Sequence, residues 1–112
     1  MDEITFEDFL KVELRVGRII SAEGFPEARK PAYILQIDFG AEFGIRKSSA
    51  QITDLYEPDD LIGKLVVAVV NFPPKQIGPI KSQCLVTGFY NASGYVALCV
   101  PDKAVLVGTK LL

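Results

Sequence analysis

Residues 64–88 read KLVVAVVNFPPKQIGPIKSQCLVTG, and this stretch decides the fold. Leu65 to Val70 is an apolar run too short for a globular helix and rich in β-branched residues, which predicts a strand buried on both faces. It ends at Asn71-Phe72-Pro73-Pro74, where two prolines remove backbone donors and fix φ, so no ladder continues through them. A stiff polar and basic loop follows, carrying Lys75, Gln76, Lys81, Ser82 and Gln83, with Gly78-Pro79 as a second breaker. Cys84 to Val86 returns as a strand and closes the unit at Gly88. Two strands holding a rigid loop between them form a device for presenting side chains to a ligand.

Working outward, the N-terminal side supplies three more strands. Val12 to Ile20 alternates Val12, Leu14 and Val16 against Glu13, Arg15 and Arg18, a half-buried strand in which Gly17 predicts a bulge or bend. Glu23 to Pro31 is an irregular loop, and Phe25 within it either folds under as an anchor or is exposed as a ligand contact, in which role it joins the expected contact set. Ala32 to Phe39 places Tyr33, Leu35, Ile37 and Phe39 on one face, and Gly40 to Gly44 is a hairpin loop. Ile45 to Ser48 makes the next strand, bearing Arg46 and Lys47, and Ser49 to Thr53 is expected to open a short helix. Ahead of all these, Thr5 to Leu10 predicts one helical turn with Thr5 as cap and Asp8 at the third position, a plug for the core or for a partner.

The pattern predicts an all-β chain: a five-stranded OB-fold barrel at 12–88 with a short helix between strands three and four. A short N-terminal helix precedes it and a C-terminal β extension, 89–112, follows. Such barrels bind ligands on strands two and three, between the loops joining strands one to two and four to five. The basic residues fall on those parts: Arg29 and Lys30 on the first loop, Arg46 and Lys47 on the third strand, Lys75 and Lys81 on the second loop. The expected contact set is Phe25, Arg29, Lys30, Arg46, Lys47, Ser48, Ser49, Gln51, Asn71, Phe72, Pro74, Lys75, Gln76, Lys81 and Ser82. In the extension, strands are expected at Tyr95 to Val100 and Ala104 to Val107. Fifteen of its 24 residues are apolar, which predicts burial against a second copy in a symmetric homodimer.

Composition narrows the chemistry. The chain has 112 residues, 49% of them apolar, and a net charge of −2. Residues 1–60 carry seven basic and thirteen acidic side chains, residues 61–112 five and one. A basic second half suits an anionic partner, while the acidic total opposes strong nonspecific nucleic-acid binding. There is no histidine, which removes Ser-His and Cys-His nucleophile pairs and the commonest metal ligand. No catalytic residue, metal ligand or cofactor site is expected, and the chain reads as a binding protein rather than an enzyme. Cys84 and Cys99 sit in apolar strand patterns and are expected as buried free thiols. No apolar run reaches the roughly 20 residues of a membrane span. The acidic start lacks a signal-peptide pattern, so a cytoplasmic location without membrane insertion is expected.

Particular segments resemble a known family. Val12-Glu13-Leu14-Arg15-Val16-Gly17-Arg18-Ile19, Asn71-Phe72-Pro73-Pro74-Lys75 and Lys81-Ser82 resemble the tRNA-binding OB module, free-standing or at the ends of some aminoacyl-tRNA synthetases. Phe25-Pro26-Glu27-Ala28-Arg29, Ile37-Asp38-Phe39-Gly40, Ser48-Ser49-Ala50-Gln51-Ile52-Thr53 and Val69 to Pro74 are similar to signature segments of its CsaA branch of export-related chaperones. The resemblance implies a homodimer that binds unfolded or export-bound precursor polypeptides, with the export machinery as a candidate partner. No Gly-rich phosphate loop follows a strand before a helix, so such holding is expected to be ATP-independent. The resemblance also implies tRNA as the alternative ligand of the same face. The wider module usually has a His-Pro-Asn/Asp-Ala-Asp stretch at residues 25–29 and a Val-Ser-Gly type segment near residues 48–51. This chain departs from both, and follows the chaperone branch.

Overall fold

The computed structural model describes all of residues 1–112. Nine strands and two short helices follow in the order α1 (Phe6–Leu10), β1 (Leu14–Gly24), β2 (Tyr33–Asp38), β3 (Ile45–Ala50), α2 (Pro58–Leu61), β4 (Leu65–Val69), β5 (Lys75–Ile77), β6 (Ile80–Ser82), β7 (Leu85–Val86), β8 (Gly88–Tyr90) and β9 (Val96–Leu98). The main sheet has the order β3-β2-β1-β4-β7, antiparallel at every step. It curls into a nearly closed five-stranded barrel, the all-β OB architecture expected from the sequence.

One strand makes the curl. Residues 14–18 of β1 pair with β4, and residues 18–24 pair with β2, with a register shift between Ile19 and Ser21. The extra residue bends β1 so that a single strand serves two neighbours. The sequence pattern puts this bulge at Gly17, and there it is wrong. Gly17 is instead a site of close approach: a Cβ on it would lie 2.5 Å from Ile37 Cγ2 and 2.7 Å from Phe39 Cε1. The missing side chain makes room for those two core residues.

Closure comes opposite, between β3 and residues 82–83, which lead from β6 into β7. The Gln83 amide donates to Lys47 O at 2.8 Å, and Gln83 Oε1 accepts from the Lys47 amide at 2.9 Å. Ser82 Oγ accepts from the Ser49 amide at 3.1 Å. Inside lie Ile19, Leu35, Ile37, Phe39, Leu61 and Val66, all fully buried, and the run Val66 to Val70 is buried throughout, as its composition demands.

Four expectations are corrected. The strand β3 runs through Ser49 to Ala50 rather than turning helical there, because Ser48 and Ala50 continue its inward face. The helix between the third and fourth barrel strands exists, but at Pro58–Leu61, with Pro58 in its first turn and an Asp60 carboxylate accepting from the Glu57 amide. Residues 75–82 are a two-stranded hairpin turned at Gly78-Pro79, not an irregular loop. Ala104 to Val107 is not a strand. Residues 108–111 instead run along the free edge of β1, exchanging the Gly108 amide to Val16 O at 2.7 Å, the Val16 amide to Thr109 O at 2.9 Å and the Leu111 amide to Leu14 O at 2.9 Å.

The extension also serves its own core, since Leu98 is buried in it and its amide bonds the Tyr56 hydroxyl at 3.0 Å. The helix α1 has the predicted reciprocal cap between Thr5 and Asp8, yet none of its residues is buried. Phe6 is 70% exposed, so α1 does not plug its own barrel. Both cysteines are free, Cys84 buried and Cys99 half-buried.

Candidate binding groove on strand three

The outer face of β3 carries Ser49, with Gln51 just beyond its end, and these form the floor of a groove. One wall is the loop from Glu27 to Ala32, the other the β5–β6 hairpin, and the space between encloses about 560 Å³. Arg29, Lys30 and Lys75 rim it, with Glu27 as its single acidic residue. All three ion pairs of the chain lie elsewhere, on Asp8 and Glu13, so the groove's cations have no carboxylate partner. Gln76 also lines it, and its amide nitrogen donates to Gly78 O at 2.8 Å, bracing the hairpin turn.

A second cleft of about 330 Å³ continues from the first across Ser49, Lys75 and Ile77. It has a different character, with Phe72, Pro73, Ile77 and Leu85 around Ser82 and Cys84. Phe72 is 52% exposed because Pro73 and Pro74 hold the chain away from the barrel after β4. Burial pushes the Cys84 thiol up to about 11, so it is a neutral, apolar floor and not a nucleophile. A basic stretch thus runs into an apolar one, on the face where barrels of this type take their ligands.

Arg29, Lys30, Ser49, Gln51, Phe72, Lys75, Gln76 and Ser82 therefore meet as the sequence led one to expect. The other predicted contacts do not join them. Phe25 is 4% exposed and lies beneath Gly78, where it fastens the first loop to the hairpin instead of reaching a ligand. Ser48 points inward and is fully buried. Arg46 is consumed by the scaffold: its Nη1 donates to Val70 O at 2.6 Å, its Nε to Phe43 O at 3.2 Å, and its guanidinium sits 5.8 Å from the Phe43 ring centre. Asn71 clamps the entry to β1, accepting from the Glu13 amide at 3.0 Å and donating to Lys11 O at 2.7 Å. Lys47, Pro74 and Lys81 are exposed but line neither cleft. Ser82 lines the apolar cleft while its hydroxyl caps the edge of β3.

Sequence reasoning missed Glu27 and Leu85 as groove residues, and Tyr90, which lines an adjoining cleft with Ser49 and Gln51. Leu85 hid in an apolar strand pattern. Tyr90 was findable, since Asn91-Ala92-Ser93-Gly94 is turn chemistry between apolar residues and folds β8 back on β9.

The putative tRNA-binding domain family matches residues 14–110, almost the whole barrel and its extension. The chain belongs to this family. It is 38% identical over 111 residues to the methionine–tRNA ligase of Pyrococcus horikoshii, covering 99% of this chain but only 15% of the ligase. Among solved structures it is similar over its full length to two small chaperones. The chaperone CsaA of Bacillus anthracis is 50% identical with a TM-score of 0.92, covering 99% of this chain and all of that one. The CsaA chaperone of Picrophilus torridus is 48% identical with a TM-score of 0.92, covering 98% and 100%.

Proposed function

We propose that this chain is an ATP-independent holding chaperone that binds extended, partly apolar stretches of unfolded or precursor polypeptide in the groove on β3. The observation that carries this reading is the apolar cleft of Phe72, Pro73, Ile77 and Leu85, which continues directly from the basic one. A polypeptide has side chains for both parts, and exposed apolar surface at a concave site is what such a ligand buries. Arg29, Lys30 and Lys75 add polar anchoring. The full-length likeness to two CsaA chaperones supports the same reading.

The working form in this proposal is a cytoplasmic homodimer serving export-bound clients. Its support is exposed apolar surface: Phe6 and Leu10 of α1 are exposed, as are Leu111, whose amide bonds Leu14 O on β1, and Leu112. No helix is long and apolar enough to cross a membrane.

The second reading is tRNA binding by the same face. The family match and the three unpaired cations at the groove favour it. Phosphate contacts would dominate, giving affinity that falls steeply with salt. Titrating a labelled unfolded peptide and bulk tRNA at low and high salt separates the two. Peptide binding that persists in salt supports the chaperone; tRNA binding alone, collapsing with salt, replaces it.

A further inference from the structure

The outer edge of β3 is only half closed. In an antiparallel strand the main-chain groups of alternate residues point the same way: those of Lys47 and Ser49 point away from β2, and Gln51, one residue past the end of β3, has the same parity. The Lys47 amide and carbonyl are both taken by Gln83, the Ser49 amide by the Ser82 hydroxyl, and the Ser49 carbonyl accepts one bond, from the Ser48 hydroxyl at 3.2 Å. Gln51 makes no hydrogen bond within the chain, through main chain or side chain. Facing it is β7, where the Thr87 amide bonds Val67 O at 3.0 Å, so the main chain of Val86 points the other way, toward β3.

Between these two edges lies a third cleft of about 310 Å³. Its apolar lining comes from Ile52, Leu85, Val86, Val96 and Tyr90, and it contains no charged side chain. It shares Ser49 and Gln51 with the basic cleft and Ser49 and Leu85 with the apolar one. The three clefts are one channel around the end of β3. Tyr90, 81% exposed, stands on its rim with an unburied ring.

We propose that an extended polypeptide adds to this edge as an extra strand beside Ser49–Gln51, seating one large apolar side chain in the cleft under Tyr90. The inference rests on the reading of the groove as a polypeptide site and names how the polypeptide is held. The free Gln51 amide and carbonyl, with the remaining lone pair of the Ser49 carbonyl, match the spacing of another main chain, which gives affinity without sequence, while the adjoining pocket supplies a preference for side-chain type. Nucleic acid has no such amide ladder, and this cleft offers no cation to a phosphate.

Fluorescein-labelled peptides tiled across carboxymethylated α-lactalbumin, a permanently unfolded protein, supply the probe. The tightest binder is then N-methylated at one main-chain amide at a time. Strand addition predicts losses of about tenfold at alternate positions and little between them, since each lost main-chain bond leaves a partner unpaired. It also predicts that Tyr90→Ala weakens the unmodified peptide about fivefold at an unchanged melting temperature. A flat methylation profile, with binding still lost in Phe72→Ala, overturns strand addition and leaves the polypeptide groove standing. Binding that is unaffected by Phe72→Ala, or absent for every peptide, overturns both. A Tyr90→Ala loss confined to tRNA also contradicts the proposal.

Discussion

Arg46 and Lys75 look alike in the sequence, each a cation beside a groove-forming element, and the fold uses them in opposite ways. Arg46 lies against Phe43 and donates to two carbonyls, tying the β2–β3 turn to the end of β4. Lys75 opens the first strand of the hairpin and stands in solvent where both clefts meet. The same division runs through the polar residues: Asn71 satisfies main-chain groups at the entry to β1 and Ser82 one on β3, whereas Gln51 satisfies none. In a barrel this small, strand ends and seams need capping as much as ligands need contacts. Polar side chains near the site are therefore divided between the two tasks.

That division is breakable by mutation. The largest effect belongs to Arg46→Ala, which strands the Val70 and Phe43 carbonyls and should cost about 2–3 kcal/mol of stability in urea unfolding. Peptide affinity of the folded fraction should not change. A strongly reduced affinity at unchanged stability would move Arg46 to the ligand side. Next is Phe72→Ala, expected to weaken peptide binding about tenfold while stability stays within about 0.5 kcal/mol. Unchanged affinity would show that the apolar cleft is idle. The paired change Arg29→Ala with Lys75→Ala should weaken binding about threefold at low salt and less at high salt, because exposed charges are screened. An equal loss at both salts would argue for a desolvated contact.

The smallest effect concerns the C-terminal arm. Hydrogen bonds from Arg15 and Lys110 hold the Glu13 carboxyl below its ordinary value of 4.5. A carboxylate with a depressed folded value contributes stability that is present above its unfolded value and lost as pH falls through the folded one. Below about pH 4.5, then, protection of the Leu111 amide against hydrogen exchange should decline before that of the barrel core. Parallel decline of both would mean that Glu13 does not hold the arm.

The barrel was legible because its strands declare themselves. The alternation of Tyr33, Leu35, Ile37 and Phe39, the doubly buried run before Pro73 and the glycine-bounded turn at residues 40–44 each allow one local structure. The site was legible only as a region. Phe25 reads as a loop aromatic, and nothing in the chain around it shows that Gly78, some fifty residues on, covers its ring. Ser48 and Ser49 are chemically identical neighbours, and only strand parity, hidden once the segment is read as helical, sends one into the core and the other into the groove. Gly17 likewise signals a special backbone, yet its reason is two core side chains from another strand and its flank. Long-range packing sorted what local chemistry left equal.

The central claim is that the joined basic and apolar clefts on β3 hold polypeptide. Its most direct test is fluorescence anisotropy of a labelled unfolded peptide against the wild type and the Phe72→Ala, Lys75→Ala double variant, with the melting temperatures of both recorded. The account predicts salt-tolerant binding by the wild type and at least about tenfold weaker binding by a variant that melts alike. Equal binding by the two proteins, or binding of tRNA and not of peptide, would contradict it.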